Sequence, residues 1–181
     1  HRRPEGMALC NLALVLRNQG GFDEAHHLYD EALPILREVG DPRLESMALS
    51  NWGDLMADQE RLREAEDLYT QALSIQRLTG DRRGEGNTLG NLFGLFMERK
   101  MRESTQRALA EEALKIHREV GHRLLEATTL NNLLVLSMDC GDLKEALSIF
   151  SQAMSIASTI SNLFLKTELF RNGARLHRLM G

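Results

Sequence analysis

The apolar positions along the chain recur with helical spacing, and they come in paired stripes. Leu9, Leu12 and Leu16 make one face of a first segment; Ala25, Leu28, Tyr29, Ala32, Leu33 and Leu36 make one face of a second. Residues three and four apart lie on the same side of an α-helix, so each stripe predicts an amphipathic helix. A short turn, "NQGG", separates the two. Gly40 follows the second segment, where a left-handed residue closes a helix. Asp41 and Pro42 then read as an N-cap with proline at the first helical position.

This two-helix unit is written again and again. The alanine of the Ala-Leu or Ala-Met step in the second helix falls at Ala32, Ala72, Ala113 and Ala153, with spacings of 40, 41 and 40. The upstream leucines Leu9, Leu49, Leu89 and Leu130 give 40, 40 and 41. Agreement between two independent columns fixes the period and places one extra residue between Leu89 and Ala113. The repeats are expected at 1–40, 41–80, 81–121 and 122–161, with 162–181 as the first helix of a fifth. The fold class that follows is all-α: antiparallel helix pairs, four repeats plus one terminal helix, each unit covering the apolar face of the next. We expect one array over 1–181. Because it opens on His1 rather than Met and stops after a lone first helix, it is expected to be a piece of a longer protein.

Composition narrows the function. Hydrophobic residues are 43% and charged ones 27%, which fits a folded protein; 5% aromatics and three prolines argue against a β-sandwich or barrel. No apolar run approaches the roughly 20 residues that span a bilayer, so no membrane partner is expected. Cys10 and Cys140 stand far apart with no C-x-x-C, which favours a reduced, cytoplasmic setting. The net charge of −4 weighs against nucleic acid as a partner. His26 and His27 are adjacent and cannot face one ion from a helix, and His117, His122 and His177 have no partner at ligand spacing. No nucleophile, base or metal set emerges, so we expect no enzyme, no metal and no cofactor.

The pattern Leu-x-x-Leu/Trp-Gly/Ala, then Gly, then Ala-x-x-x-Tyr/Phe-x-x-Ala-Leu resembles the tetratricopeptide repeat. Trp52-Gly53, Ala65, Tyr69, Ala72 and Leu73 carry it best, and Ala25, Tyr29, Ala32 and Leu33, with Ala146, Phe150 and Ala153, repeat it. The common period of that family is about 34, so the resemblance is to its longer-helix variety, as in kinesin light chains, polarity adaptors and bacterial signalling regulators. It implies a right-handed α-solenoid whose first helices line a concave groove. It implies a protein or peptide as the partner, and a sensor or scaffold role within a larger signalling or regulatory protein. The alternative is a structural spacer, or a self-association module that forms a homo-oligomer through the terminal helix.

The same resemblance assigns groove positions. Asn11, Asn51, Asn91, Asn132 and Asn172 recur one per unit on the first helices. A primary amide offers donors and an acceptor, so such a row suits the backbone of an extended peptide; it suits equally a bond to the neighbouring helix that fixes stacking. Asn131, beside Asn132, belongs to no such series. One turn along lie Leu14, Asp54, Gly94, Val135 and Arg175; further on come Asp58 and Asp139. Arg171, Arg175 and Arg178 share one face of the terminal helix, so the groove is expected to be acidic in the middle and basic at its C-terminal end. Cys10, Leu14, Ser50 and Asp54 occupy the places where chaperone-binding members of the family hold Lys and Asn, so chaperone C-termini are not expected as ligands. Trp52, Tyr29 and Tyr69 read as core.

Overall fold

The structure, a computed structural model, describes residues 2–181. Among them are nine α-helices and no strand: α1 Arg2–Asn18, α2 Phe22–Val39, α3 Pro42–Asp58, α4 Leu62–Thr79, α5 Arg82–Glu98, α6 Glu103–Glu119, α7 Arg123–Asp139, α8 Leu143–Ser158 and α9 Leu163–Met180. The fold is all-α, as the periodicity requires. Two compact units divide the chain, His1–Lys100 and Met101–Gly181. In the first, α1 pairs with α2 and α3 with α4, while α3 packs on α2 and α5 on α4. In the second, α7 packs on both α6 and α8, and α9 on α8.

The helix ends obey local chemistry. Gly40, Gly80 and Gly121 all sit at φ 68°, the left-handed conformation expected of a residue that stops a helix. Asp41 caps α3, its Oδ1 accepting from the backbone N–H of Arg43 and Leu44, with Pro42 at the first helical position. Pro34 lies inside α2, which continues through it to Val39. The extra residue of the third repeat sits in the α5–α6 connection, which runs from 99 to 102, where the other three within-repeat turns have three residues.

Burial follows the repeat with one correction. Ala25, Ala32, Ala65 and Ala72 are wholly buried in the second helices of the first unit, where their small side chains admit the neighbouring helix. Leu12, expected on a buried face with Leu9 and Leu16, is instead 49% exposed, and Cys10 and Ala13 are buried in its place. The column of Leu12 explains the difference. Its counterpart Trp52 turns toward the second helix of the preceding repeat, stacking on Tyr29 at 6.2 Å and meeting His26 edge-on at 5.3 Å. Leu12 makes no such contact among the described residues. Trp52 itself is half-buried, its ring serving that inter-repeat contact, whereas Tyr29 and Tyr69 are buried as expected.

Ion pairs join successive repeats. Arg37 Nε donates to Glu45 at 2.8 Å, Arg77 Nε to Glu85 at 3.1 Å, and Arg118 Nε to Glu126 at 3.1 Å. Glu85 and Glu126 are buried, and each holds a second arginine three residues earlier, Arg82 at 2.6 Å and Arg123 at 2.8 Å. Burying a carboxylate costs several kcal/mol unless it is paired in this manner.

Candidate functional site

In the first unit the first helices α1, α3 and α5 bring charged and amide side chains to one face. Asp54 is at its centre. Its Oδ1 accepts from the Tyr69 hydroxyl at 2.7 Å and from the Asn91 amide at 2.8 Å, and its Oδ2 faces Arg17 Nη1 at 3.4 Å. Arg17 Nε also donates to Asp58 at 2.6 Å. One guanidinium from α1 therefore bridges two carboxylates one turn apart on α3, and an asparagine from α5 completes the cluster. Burial pushes the Asp54 carboxyl above the usual carboxylate range, although the Tyr69 hydrogen bond and Arg17 pull it the other way. Burial, and then the charge of Asp54, raises Tyr69. Arg17 is held protonated by Asp58 and Asp54 against its own desolvation.

Beside this cluster lies a pocket of about 280 Å³ bounded by Arg17, Asp54, Asp58, Tyr69, Asn91 and Glu98, with Ala57, Leu95 and two glycines, Gly90 and Gly94. A methyl group added to either glycine would meet no atom within 4 Å. The α5 backbone thus leaves open space where a side chain would otherwise stand. Gly53 is the opposite case: a Cβ there would come within 2.6 Å of the Tyr69 ring. That close approach lets the ring lie against α3 with its hydroxyl on Asp54.

The sequence-derived residues divide among several environments. Asp54, Asp58 and Asn91 are gathered in the pocket; Asn51 is half-buried, Asn11 is exposed, and neither forms a side-chain hydrogen bond among the described residues. In the second unit the Asn172 amide donates to Asn131 Oδ1 at 2.8 Å, so Asn131 rather than Asn132 receives the inter-helix bond there. Asn132 is half-buried without one. Arg175 pairs with Asp139 at 2.6 Å and Arg171 with Glu168 at 2.8 Å, which neutralises two of the three terminal arginines; Arg178 is exposed. The basic end expected of the groove is accordingly reduced. Tyr69, read as core, is both core and pocket wall. The signal for this lay in the sequence: Asp54 stands in the column that Leu14 holds in the first repeat, so only the second tyrosine has an acceptor facing it.

Among the described residues no three metal-ligating side chains converge, and no helix is long and apolar enough to cross a membrane.

Comparison with known proteins bears on the fold. The tetratricopeptide repeat family profile matches residues 4–78. No curated protein matches the sequence. Among solved structures, the chain is similar to BtubC (BKLC) from P. vanneervenii, with TM-score 0.85 and 23% identity over 96% of this chain and 72% of that one. It is similar to aspartyl phosphate phosphatase F from Bacillus subtilis, with TM-score 0.90 and 11% identity over 97% of this chain and 46% of that one. It is also similar to a signal transduction ATPase with numerous domains and a tetratricopeptide repeat sensor from Pyrococcus horikoshii, with TM-score 0.77 and 18% identity over 99% of this chain and 26% of that one. This chain therefore spans less than half the length of the last two. At such identities the likeness establishes the fold. Residues 4–78 belong to the tetratricopeptide repeat family, and the remaining described helices continue the all-α fold.

Proposed function

We propose that the first-helix face of residues 1–100 binds an extended segment of a partner protein and takes a lysine or arginine side chain of that segment into the pocket beside Asp54. The observation that carries this is the cavity over Gly90 and Gly94, open next to a carboxylate already fixed by Tyr69, Asn91 and Arg17. Three carboxylates, Asp54, Asp58 and Glu98, face a single guanidinium there. A cationic side chain would balance that charge, and the second N–H and the oxygen of the Asn91 amide are left for its backbone. A sensor or scaffold role within a larger regulatory protein is supported by the fold likeness to an ATPase whose own repeats are a sensor.

Gly94→Leu tests the reading. Its Cβ meets no atom within 4 Å, the rest of the side chain occupies the open space, and helix propensity improves, so stability should be equal or higher. A short Arg-Gly repeat peptide, titrated into the isotopically labelled chain, should shift the Gly90 and Gly94 amides and the Asn91 side chain; a Glu-Gly peptide should not. Binding of the basic peptide to the Gly94→Leu protein with unchanged affinity would refute the proposal.

A second reading, self-association through the terminal helix, is favoured by the exposure of Leu163, Phe164 and Phe170 on α9. Light scattering across a concentration series decides it: a strict monomer at the highest concentration removes this reading.

A further inference from the structure

We propose that a second pocket, in residues 101–181 and independent of the groove, binds a small oxyanion, a carboxylate or phosphoryl group on a polar ligand. The last turn of α6, the first turn of α7 and the middle of α8 border an open groove of about 410 Å³ lined by Arg118, Arg123, Glu126, Ser151, Gln152, Ser155 and Ile156. That is within the range of small-ligand sites.

Its charge is unbalanced by construction. Glu126 is shared by two guanidinium groups, Arg118 Nε on Oε1 and Arg123 Nη1 on Oε2, so one positive charge stays uncompensated. The shared carboxylate also fixes the two arginines relative to each other. Arg118 spends one further N–H on Gln152 Oε1 at 3.1 Å. Each guanidinium carries five donors, which leaves Arg118 Nη1 and Arg123 Nε and Nη2 without a protein acceptor among the described residues. The facing wall offers hydroxyls: Ser151 Oγ donates to Leu147 O, while the Ser155 hydroxyl is uncommitted. Planar, held guanidinium groups with a hydroxyl opposite suit an oxyanion, which accepts charge-assisted bonds in the same plane.

The repeat supplies an internal comparison. At the first junction the column of Arg123 holds Pro42, so one of the two arginines is missing. Arg118 and Arg123, by contrast, combine two arginines with a neutral Ser-Gln-Ser wall. A purely structural ion pair between repeats would not require that combination, since Arg37 and Glu45 form one with neither the second arginine nor an acidic wall.

The test is a nuclear magnetic resonance titration of the full chain with inorganic phosphate and, separately, with succinate, sodium chloride being adjusted to hold ionic strength constant. Saturable shifts centred on the amides of Arg123 and Ser155 are expected with at least one probe. Saturation by phosphate alone assigns a phosphoryl ligand, and by succinate alone a carboxylate. Ser155→Asp places a carboxylate in the pocket without touching the ion pairs of Glu126; it should weaken binding about tenfold or more, as should Arg123→Gln. Arg83→Gln, exposed on α5, should change nothing. Absence of a saturable shift with both probes overturns the proposal. So does an affinity unchanged in Ser155→Asp, which would mark the shifts as diffuse screening.

Discussion

Tyr29 and Tyr69 occupy one column of the repeat and are both buried, yet replacing them with phenylalanine should change stability in opposite directions. The Tyr69 hydroxyl donates to Asp54 at 2.7 Å. A hydrogen bond to a charged acceptor is worth about 1.5–3 kcal/mol, so Tyr69→Phe should cost about 2 kcal/mol. The Tyr29 hydroxyl is buried with no hydrogen-bond partner among the described residues, because Leu14 stands where Asp54 stands one repeat later. Tyr29→Phe removes a desolvated donor and should stabilise by about 1 kcal/mol. The pair should thus differ by about 3 kcal/mol, or roughly 1.5 M in urea midpoint at a slope of about 2 kcal/mol per M. Urea titration followed by circular dichroism measures it, and equal slopes confirm that the native state is being compared. A double-mutant cycle isolates the cause: in an Asp54→Leu background, Tyr69→Phe should cost nothing or become favourable, as in the first repeat. If Tyr69→Phe costs the same with and without Asp54, or if both tyrosines respond alike, the hydrogen bond does not hold α4 to α3 and the reasoning fails.

Three further outcomes follow from the same structure. Glu60 and Lys100 adopt left-handed backbone, φ 59° and 50°, in the column where Gly20 and Gly141 have φ 82° and 80°. Glu60→Gly should therefore stabilise by about 0.5–1 kcal/mol, the left-handed penalty less the added freedom of the unfolded chain; thermal melting should show a rise of about 2 °C. Gly53→Ala should cost about 2–3 kcal/mol by driving the Tyr69 ring off Asp54, whereas Gly94→Ala should be neutral or gain up to about 1 kcal/mol, and denaturant midpoints separate the two. Burial, and then the neighbouring His122, lowers the pKa of His117, with Glu126 opposing. Below the ordinary value of about 6.5 the unfolded chain then binds more protons than the folded one, so stability is complete above that pH and falls as the solution is acidified. His117→Gln, which places there the residue type that the second repeat holds at Gln76, should flatten the dependence in stability curves recorded between neutral and mildly acidic pH.

Period and punctuation carried most of the fold. The columns at 40 and 41 anticipated the helices, because a helix stripe and a left-handed glycine are local demands. Leu12 was misplaced for a non-local reason. Its burial depends on packing against a neighbouring repeat, as Trp52 does on Tyr29, and the stripe alone does not say. The Arg-Glu pairs between repeats were legible in principle, since Arg37, Arg77 and Arg118 recur with the same period as Glu45, Glu85 and Glu126. A charge in a helical sequence ordinarily reads as solvated surface, and only the structure places Glu85 and Glu126 in the interior.

The asparagine column shows why the site was harder to read than the fold. A repeat fixes which face a residue takes, but its partner depends on what the adjacent repeats hold. Asn91 reaches back to Asp54 and Asn172 to Asn131, while Asn132 has neither kind of acceptor among the described residues. The same residue in the same column thus serves three local arrangements. Only in the second and third repeats do an acid, a tyrosine and two glycines coincide around it to leave a fixed carboxylate beside open space. Stacking and ligand contact are not exclusive at Asn91, since bonding Asp54 uses one of its two amide N–H groups and none of its oxygen. The bond that joins α5 to α3 also holds the amide at the pocket wall, so the residue that sets the packing would pre-arrange the proposed site at no added entropic cost.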